Sequence, residues 1–416
     1  MSLIYMDHNA TTPLRPEVLE AMMPYLTGKF GNASSLHAPG REAAEAVAKA
    51  RSSLARYLGC EGKNVVFTSG GTESDNWALN GVLEANAKKG RHIVTSQIEH
   101  KAVESVARQM QRRKLADVTY VGVDNLGRIN PQEVAAAIRD DTVLVSIMTA
   151  NNETGTIQPI SEIGRICRER GVIFHTDAVQ AGGKLKLDVD ELNVDLLSLS
   201  SHKFYGPKGV GMLYVRPKTK IMPLIRGGHH ESGRRAGTEN VPGIVGMGRA
   251  IELAAAEIDS EAARQSALRD RLEAGLRQRL DYLVYNGHPE QRLPNTSNIA
   301  FSFVEGEAIL LHLDLKNIAA STGSACSQGN LSSSYVLSAI GLPPELANSA
   351  LRFSLGRENT AEHIDYAVES LTEIVNRLRD MSPLWDKVQK GTYDPKEFDK
   401  LKCYFTPDPD EPAITV

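Results

Sequence analysis

The stretch DLLSLSSHKFYGPKG, residues 195–209, decides the fold class. It starts with an apolar run, which is typical of a strand that is covered on both faces of a sheet. It turns polar at Ser200 and soon reaches Lys203. Because open α/β sheets bind ligands just beyond the carboxyl ends of their strands, we predict that Lys203 lies at such an edge. Burial there would disfavour the ammonium form and leave the amine available for a Schiff base, whereas a surface lysine is the alternative.

Other short apolar runs alternate with helical patterns along the first 240 residues. The strand candidates besides 195–201 are 64–69, 92–97, 118–123, 142–148, 171–177 and 211–215, and the helix candidates include 41–58 and 159–170. This alternation predicts an α/β fold with a mostly parallel sheet that is covered by helices on both faces. A long amphipathic pattern over 242–280 then leads to a second group of strands and helices, which predicts a smaller α+β unit.

Composition excludes several classes of function. The 416 residues carry a formal net charge of −4, without the basic excess that binding to nucleic acid requires. The N-terminus has no secretory pattern, and no apolar run approaches the roughly 18 residues that span a bilayer. We therefore expect a cytoplasmic protein that binds neither nucleic acid nor a membrane. The four cysteines form no CxxC pair, so neither a disulfide framework nor a zinc site is expected.

Polar residues follow several of the predicted strands. The strand at 64–69 runs into GGTES, residues 70–74, where a helix start would present N–H groups to an anion. His100, Asn152 and Asp177 follow three other strands. A carboxylate at the end of a buried strand needs a partner, and a pyridinium nitrogen is one. A plain helix cap is the alternative for both the GGTES stretch and Asp177.

Two residues of the second unit also indicate chemistry. Cys326 lies in STGSACSQG, residues 321–329, and such a run of small residues favours a mobile loop with an available thiol. A buried, inert cysteine is the alternative. Arg352 lies in an apolar strand pattern, where it needs a carboxylate that it can bind with two parallel hydrogen bonds. An internal ion pair is the alternative there.

Several motifs taken together resemble one known family. They are TSGGTES at 68–74, IEH at 98–100, NNETG at 151–155, HTDAVQ at 175–180, SSHKFYGPKG at 200–209, RRAGTEN at 234–240 and GSAC at 323–326. In this order they resemble the NifS/IscS-type cysteine desulfurases, which are pyridoxal-phosphate enzymes of the aminotransferase fold (fold type I). The resemblance extends from Met6 to about Trp385. It implies a large cofactor-binding domain over 16–260, a small domain formed by 1–15 and 261–385, and a partly ordered C-terminal tail over 386–416.

The resemblance also implies roles for individual residues around the cofactor ring. Lys203 would hold the cofactor covalently, Asp177 would keep the pyridinium nitrogen protonated, and His100 would stack on the ring and move protons. Gln180 would reach the ring oxygen, and Asn152 would lie near the ring and the substrate. Such a set would allow the loss of a proton from the substrate Cα.

The cofactor phosphate has its own implied ligands. Within one subunit they are Gly71, Thr72, Ser200 and His202. Thr238, in the RRAGTEN motif, would contribute from the neighbouring subunit. A homodimer would therefore be part of the active site.

The implied reaction converts L-cysteine to L-alanine. Arg352 would bind the substrate carboxylate, and Cys326 would attack the substrate sulfur and keep it as a persulfide. A NifU/IscU-like iron–sulfur scaffold protein, or another acceptor, would then take the sulfur. No metal is expected at the cofactor site, although Cys326 could contact a cluster transiently. Selenocysteine lysis, another fold-type I reaction and a binding protein without activity stay open as alternatives.

Overall fold

The structure is a computed structural model, and it describes residues 3–322 and 334–392. The strands are β1 (Ile4–Tyr5), β2 (Val65–Thr68), β3 (His92–Ser96), β4 (Asp117–Val121), β5 (Thr142–Ser146), β6 (Ile173–Asp177), β7 (Leu196–Ser200), β8 (Gly211–Val215), β9 (Leu283–Asn286), β10 (Thr296–Phe301), β11 (Ile318–Ala319) and β12 (Ala350–Ser354). The α-helices are α1 (Pro16–Leu26), α2 (Ala38–Tyr57), α3 (Gly71–Ala85), α4 (Lys101–Arg112), α5 (Pro131–Ala137), α6 (Ile160–Arg170), α7 (Val241–Arg277), α8 (Gly306–Leu315), α9 (Tyr335–Ala339), α10 (Pro344–Asn348), α11 (Ala361–Asp380) and α12 (Pro383–Gln389). Cys326 and Cys403 lie outside the described residues.

Seven strands form the main sheet, in the order β2-β8-β7-β6-β5-β3-β4. Strand β8 is antiparallel to both of its neighbours, and the other adjacent pairs are parallel. The predicted mostly parallel sheet is therefore confirmed, and each strand lies within two residues of its predicted limits. Every residue of β2, β3, β5, β7 and β8 is buried, which explains why these strands are apolar runs rather than alternating patterns.

Apolar packing covers both faces of this sheet. Successive strand residues point to opposite faces, so Val145 and Leu197 belong to one apolar cluster while Leu144 and Leu196 belong to another. Full burial of one such side chain contributes about 1.5–3 kcal/mol. The core thus holds the strands rigidly, and the residues that follow their carboxyl ends share one edge of the sheet.

The long helix α7 packs against two separate cores. Its first half contributes Met247 and Ile251 to the cluster under the main sheet, and its second half contributes Leu272 and Leu276 to a cluster around the antiparallel sheet β12-β10-β9. Helix α7 therefore packs against both groups of strands. The three predicted domain ranges themselves stay a prediction.

The N-terminal segment joins the two sheets. Strand β1 pairs in parallel with β11, and the Asn9 N–H donates to the Ser354 hydroxyl over 2.9 Å. A few residues later the Thr12 N–H donates to the carbonyl of His202 over 3.0 Å. The segment therefore lies directly beside the edge of the main sheet that carries Lys203. Among the described helices, none combines the length and the apolar character that crossing a bilayer would need.

Candidate active site

A cavity of about 240 Å³ opens at the carboxyl edge of the main sheet. Most of the residues predicted from the sequence line it, namely Gly71, Thr72, His100, Asn152, Asp177, Gln180, Ser200, His202 and Lys203. They reach the cavity from different strands because parallel strands end at a common edge. The structure therefore brings together the predicted ring-binding and phosphate-binding groups of one subunit.

Lys203 lies directly after β7, in a single 3-10 turn over Ser201–Lys203. Its Nζ donates to the carbonyl oxygens of Asn9, over 2.6 Å, and of Ala10, over 2.8 Å. The N-terminal segment thus holds the amine at the wall of the cavity. A lysine on a short turn behind a rigid strand has little freedom to leave this position, which suits a residue that bonds to a ligand.

Asp177 is the last residue of β6 and is buried. Its Oδ1 accepts a hydrogen bond from the Val179 N–H over 2.9 Å within a turn, and since no described helix begins there, Asp177 is not the helix cap that was the alternative. Burial raises the pKa of Asp177, and the neighbouring His100 and Lys203 oppose that rise. A buried carboxylate in this position needs a cationic partner inside the cavity.

His100 caps helix α4. Its Nδ1 accepts from the Ala102 N–H over 3.1 Å, so in the neutral ring Nε2 carries the proton. Burial lowers the pKa of His100, which favours this neutral form. The neutral ring therefore lines the cavity with Nε2–H as a hydrogen-bond donor.

The start of α3 forms an anion-binding corner. A Cβ on Gly71 would meet Val179 Cγ2 at 2.6 Å and Ser200 Cβ at 3.5 Å, so the small residue allows the backbone to lie close to β7. Free N–H groups at a helix start and the helix dipole both favour an anion. His202 lies opposite, with Nδ1 3.1 Å from Thr11 Oγ1, and burial lowers the pKa of its ring to about 4.

Three side-chain oxygens of cavity-lining residues lack partners in the described part of the chain. They are Asp75 Oδ1, Asn152 Oδ1 and Gln180 Oε1, all of which are buried. Buried polar atoms are almost always hydrogen-bonded, so these atoms indicate a polar ligand. A ring with a protonated nitrogen, a ring oxygen and a phosphate matches Asp177, the two amides and the corner at Gly71. The residues present therefore fit pyridoxal phosphate.

Two predicted residues do not line the cavity. Thr238 is exposed, in the segment that leads into α7. Arg352 is 3% exposed on β12, where Nη2 lies 2.7 Å from Asp7 Oδ1 and Nη1 donates to the carbonyl of Asn152 over 3.0 Å. The internal ion pair that was the alternative for Arg352 is thus present. Its Nε has no partner among the described residues, and Asn152 connects the guanidinium to the cavity.

Sequence reasoning missed two ionisable residues beside Lys203. Asp75 lines the cavity, and a helical period from Gly71 could have placed it on the same face of α3. Lys184 shares a second cavity of about 40 Å³ with Lys203. Burial and the charge of Lys203 lower the pKa of Lys184 to about 7, and no motif pointed to this residue. Within 3–322 and 334–392, no group of three or more metal-binding side chains is placed to hold a metal ion.

Comparisons with known proteins agree with this geometry. The aminotransferase class-V family matches residues 4–367. The cysteine desulfurase IscS of Methanosarcina thermophila is 54% identical over 384 residues, which cover 92% of this chain and 95% of that protein. A solved NifS-like protein is 39% identical, with a TM-score of 0.85, and the match covers 90% of this chain and 100% of that chain. A structure described as SspA in complex with cysteine is 37% identical, with a TM-score of 0.75, over 85% of this chain and 98% of that chain.

The chain belongs to the aminotransferase class-V family, whose members of this type depend on pyridoxal phosphate. Within that family it is a cysteine desulfurase. The predicted fold class, family resemblance and cofactor are thereby confirmed.

Proposed function

We propose that the cavity around Lys203 and Asp177 is where the chain removes sulfur from L-cysteine and releases L-alanine. The observation that carries this proposal is the convergence of a strand-end lysine, a buried aspartate and an anion-binding helix start on one cavity. The chemistry that pyridoxal phosphate supplies, when bound, is an electron sink for the pair left on the substrate Cα. The residues of the chain itself bind and orient the cofactor and the substrate, and they supply protons.

The described residues divide this work. Lys203 holds the cofactor, and Asp177 places a negative charge against the ring nitrogen. The N–H groups at Gly71 and Thr72, with Ser200 and His202, bind the phosphate. A neutral His202 serves there as a hydrogen-bond donor or acceptor without adding charge. These assignments are supported by geometry and by charge complementarity at the helix start.

Substrate binding falls to the neighbouring residues. His100 is proposed to stack on the ring and to move protons, and because its Nδ1 accepts from the Ala102 N–H, the neutral ring offers Nε2–H to the cavity as a donor. Arg352 offers the unpartnered Nε and a guanidinium edge to the carboxylate of cysteine. Asn152, whose carbonyl accepts from Arg352, lies between the carboxylate site and the ring. The solved relative with bound cysteine supports cysteine as the substrate here.

Cys326 is proposed as the sulfur acceptor. Its thiolate attacks the substrate sulfur, the Cβ–S bond breaks, and Cys326 keeps that sulfur as a persulfide. The persulfide then passes to an acceptor protein, and the names of the relatives favour a scaffold for iron–sulfur cluster assembly. The cytoplasmic location expected from the sequence stays a prediction.

We further propose that the working form is a homodimer. Large apolar side chains are exposed along α1 and the segment after it, among them Phe30 at 82% and Leu36 at 91%. Exposed apolar patches of this kind mark protein–protein contacts. Thr238 does not line the cavity of its own chain and is exposed, so its proposed contact with a phosphate is made in a second copy.

One experiment tests the proposed reaction directly. The purified chain, loaded with pyridoxal phosphate, is given L-cysteine and a thiol reductant, and alanine and sulfide are measured. Both should appear in equal amounts. Release of pyruvate or of a transamination product, with no alanine, would contradict the proposal.

A further inference from the structure

A second buried carboxyl faces the cofactor cavity beside Asp177. Asp75, in the second turn of α3, is 1% exposed and lines the cavity. Its Oδ1 has no hydrogen-bond partner in the part of the chain that the structure describes. The proposed chemistry uses the charge of Asp177 alone, so the state of Asp75 decides how much negative charge the cavity holds.

A chain of buried polar groups leads from Asp75 under the sheet. The Ser198 hydroxyl hydrogen-bonds to the Asp75 carboxyl and lies 3.0 Å from His175 Nε2. On the other side of the ring, His175 Nδ1 lies 2.8 Å from Ser146 Oγ. Every member of this chain is buried, so each hydrogen bond has to be made within the protein.

This series of hydrogen-bonded groups also contacts β6, the strand that carries Asp177. His175 lies two residues before Asp177 on β6, and Ser198 is the residue opposite Asp177 on β7. The Ala178 N–H, directly after Asp177, donates to the Ser198 carbonyl over 3.1 Å. A disturbance at Ser198 would therefore move the carboxylate that faces the cofactor.

Charge around the two carboxyls is unequal. Burial raises the pKa of Asp177, but the neighbouring His100 and the positive charge of Lys203 oppose that rise and favour its ionised form. Burial also raises the pKa of Asp75, and the negative charge of Asp177 adds to that rise, which the hydrogen bond with Ser198 opposes. His175 Nε2 lies 3.6 Å from Asp75 Oδ1, but burial lowers the pKa of His175 to about 3, so the ring is neutral and supplies no counter-charge. Two buried carboxyls in such a setting do not both ionise.

We propose that Asp75 is a positioning residue that stays protonated, so that Asp177 is the single anion of the pair, and this proposal rests on the proposed role of Asp177. The protonated Asp75 donates to Ser198, Ser198 donates to His175 Nε2, and His175 Nδ1–H donates to Ser146. All hydrogen bonds of the chain then run in one direction. The uninterrupted chain holds the end of β6 in the position that points Asp177 at the ring nitrogen.

The test compares two variants of Asp75 in the full-length holoenzyme. Asp75→Asn keeps an uncharged side chain that donates a hydrogen bond, whereas Asp75→Leu has a similar size and cannot donate. We expect Asp75→Asn to keep the wild-type dissociation constant for pyridoxal phosphate and the wild-type pH profile of the cofactor absorbance. Asp75→Leu should weaken cofactor binding about tenfold or more, because it leaves buried groups unpartnered. Cofactor binding weakened tenfold in Asp75→Asn would overturn the proposal, because it would mean that the enzyme needs a charged Asp75.

Infrared difference spectra near neutral pH give a second readout that does not depend on how well Asp75→Leu folds. The wild type minus Asp75→Asn spectrum should contain the carbonyl band of a protonated carboxyl. Glu99→Gln is the matched control, because burial raises the pKa of Glu99 to about 8, so its own difference spectrum near neutral pH should contain the band of a protonated carboxyl. A carboxylate band in the Asp75→Asn difference, instead of a protonated one, would also overturn the proposal.

If the proposed role of Asp177 is wrong, a different result is expected. Asp177→Asn should change the cofactor spectrum and its pH dependence, because the ring nitrogen loses its anion. If Asp177→Asn leaves both unchanged, the role of Asp177 is wrong, whereas the infrared band still reports the protonation of Asp75 independently.

Discussion

Arg352 and Asp7 form a salt bridge in which Nη2 and Oδ1 are 2.7 Å apart, although 345 residues separate them in the chain. The bridge fastens the N-terminal segment to β12, and the same guanidinium donates to the carbonyl of Asn152 over 3.0 Å. Arg352 thus connects the small antiparallel sheet, the N-terminal segment and the wall of the cofactor cavity. Because these partners fix the orientation of the Arg352 side chain before the substrate binds, the entropic cost of substrate binding is lower.

Replacing Arg352 by Lys should separate substrate binding from cofactor binding. Lysine keeps the charge but loses the planar pair of donors, so the KM for cysteine should rise about tenfold or more while the cofactor absorbance is retained. Arg379→Lys is the matched control, because Arg379 is also buried but donates to the carbonyls of Ser302 and Asp281. Steady-state alanine release measures both variants. An unchanged KM in Arg352→Lys would remove this residue from the substrate site.

Lys203→Ala should lose the covalent link to the cofactor and all turnover. Borohydride reduction followed by peptide mass spectrometry should label Lys203 in the wild type and nothing in the variant. Lys184→Met is the control, since Lys184 shares a small cavity with Lys203 but is not expected to bond to the cofactor. A reduced cofactor–lysine peptide from Lys203→Ala would show that another lysine carries the cofactor.

Local patterns sufficed for the main sheet and for most of the cavity. Strands that are buried on both faces are apolar along their whole length, and a residue at or just beyond the end of one, such as Asp177 or Lys203, must lie at the sheet edge. The pair Arg352–Asp7 could not be predicted in this way, because a contact between residues 345 positions apart produces no periodic pattern in the sequence. The place of Asp75 in the cavity was not predicted for another reason. Asp75 lies within a helix, and its burial depends on the neighbouring strands.

The pH dependence of stability should change when Glu99 is replaced by Gln. Glu99 is buried and accepts from the Ser96 hydroxyl over 2.5 Å and from the Met148 N–H over 3.1 Å. Burial raises the pKa of Glu99 from 4.5 to about 8 in the folded protein, so the folded state holds a proton that the unfolded state has lost. The contribution of Glu99 to the free energy of unfolding is therefore fully present below about pH 4.5 and is lost as the pH rises through about 8.

The amide introduced by Glu99→Gln does not titrate, so this variant should gain stability relative to the wild type as the pH rises across this interval. The gain should be on the order of a few kcal/mol. Urea unfolding of the holoenzyme at the two ends of the interval measures it. The exposed Glu61→Gln is the control and should follow the wild type. A difference between Glu99→Gln and the wild type that does not vary with pH would mean that Glu99 is ionised in the folded protein.

Charged residues on the apolar surface around α1 should disrupt the proposed dimer. We expect the double variant Phe30→Glu and Leu36→Glu to be monomeric by light scattering, because two carboxylates cannot be buried in an apolar contact without partners. It should bind pyridoxal phosphate more weakly, since Thr238 of the second copy is lost from the phosphate site. Leu311→Glu is the control, as Leu311 is equally apolar and is 69% exposed on α8. A fully active monomer would contradict both the dimer and the role of Thr238.

Replacing Cys326 by Ser should divide the reaction into its two halves. The chemistry at Cα depends on Lys203 and Asp177, which lie on the rigid edge of the main sheet, whereas removal of sulfur needs a strong nucleophile. Serine keeps nearly the same volume but is a far poorer nucleophile toward sulfur, so Cys326→Ser should hold the cofactor, change its absorbance when cysteine binds and release almost no alanine. Brief exposure of the wild type to cysteine should add one sulfur to the peptide that contains Cys326, as measured by mass spectrometry.

Cys403→Ser is the control and should behave like the wild type. If the added sulfur instead maps to Cys403, or if Cys326→Ser keeps wild-type turnover with an acceptor present, Cys326 is not the sulfur acceptor, and selenocysteine lysis gains support because a selenol substrate does not depend on a strong enzyme thiol.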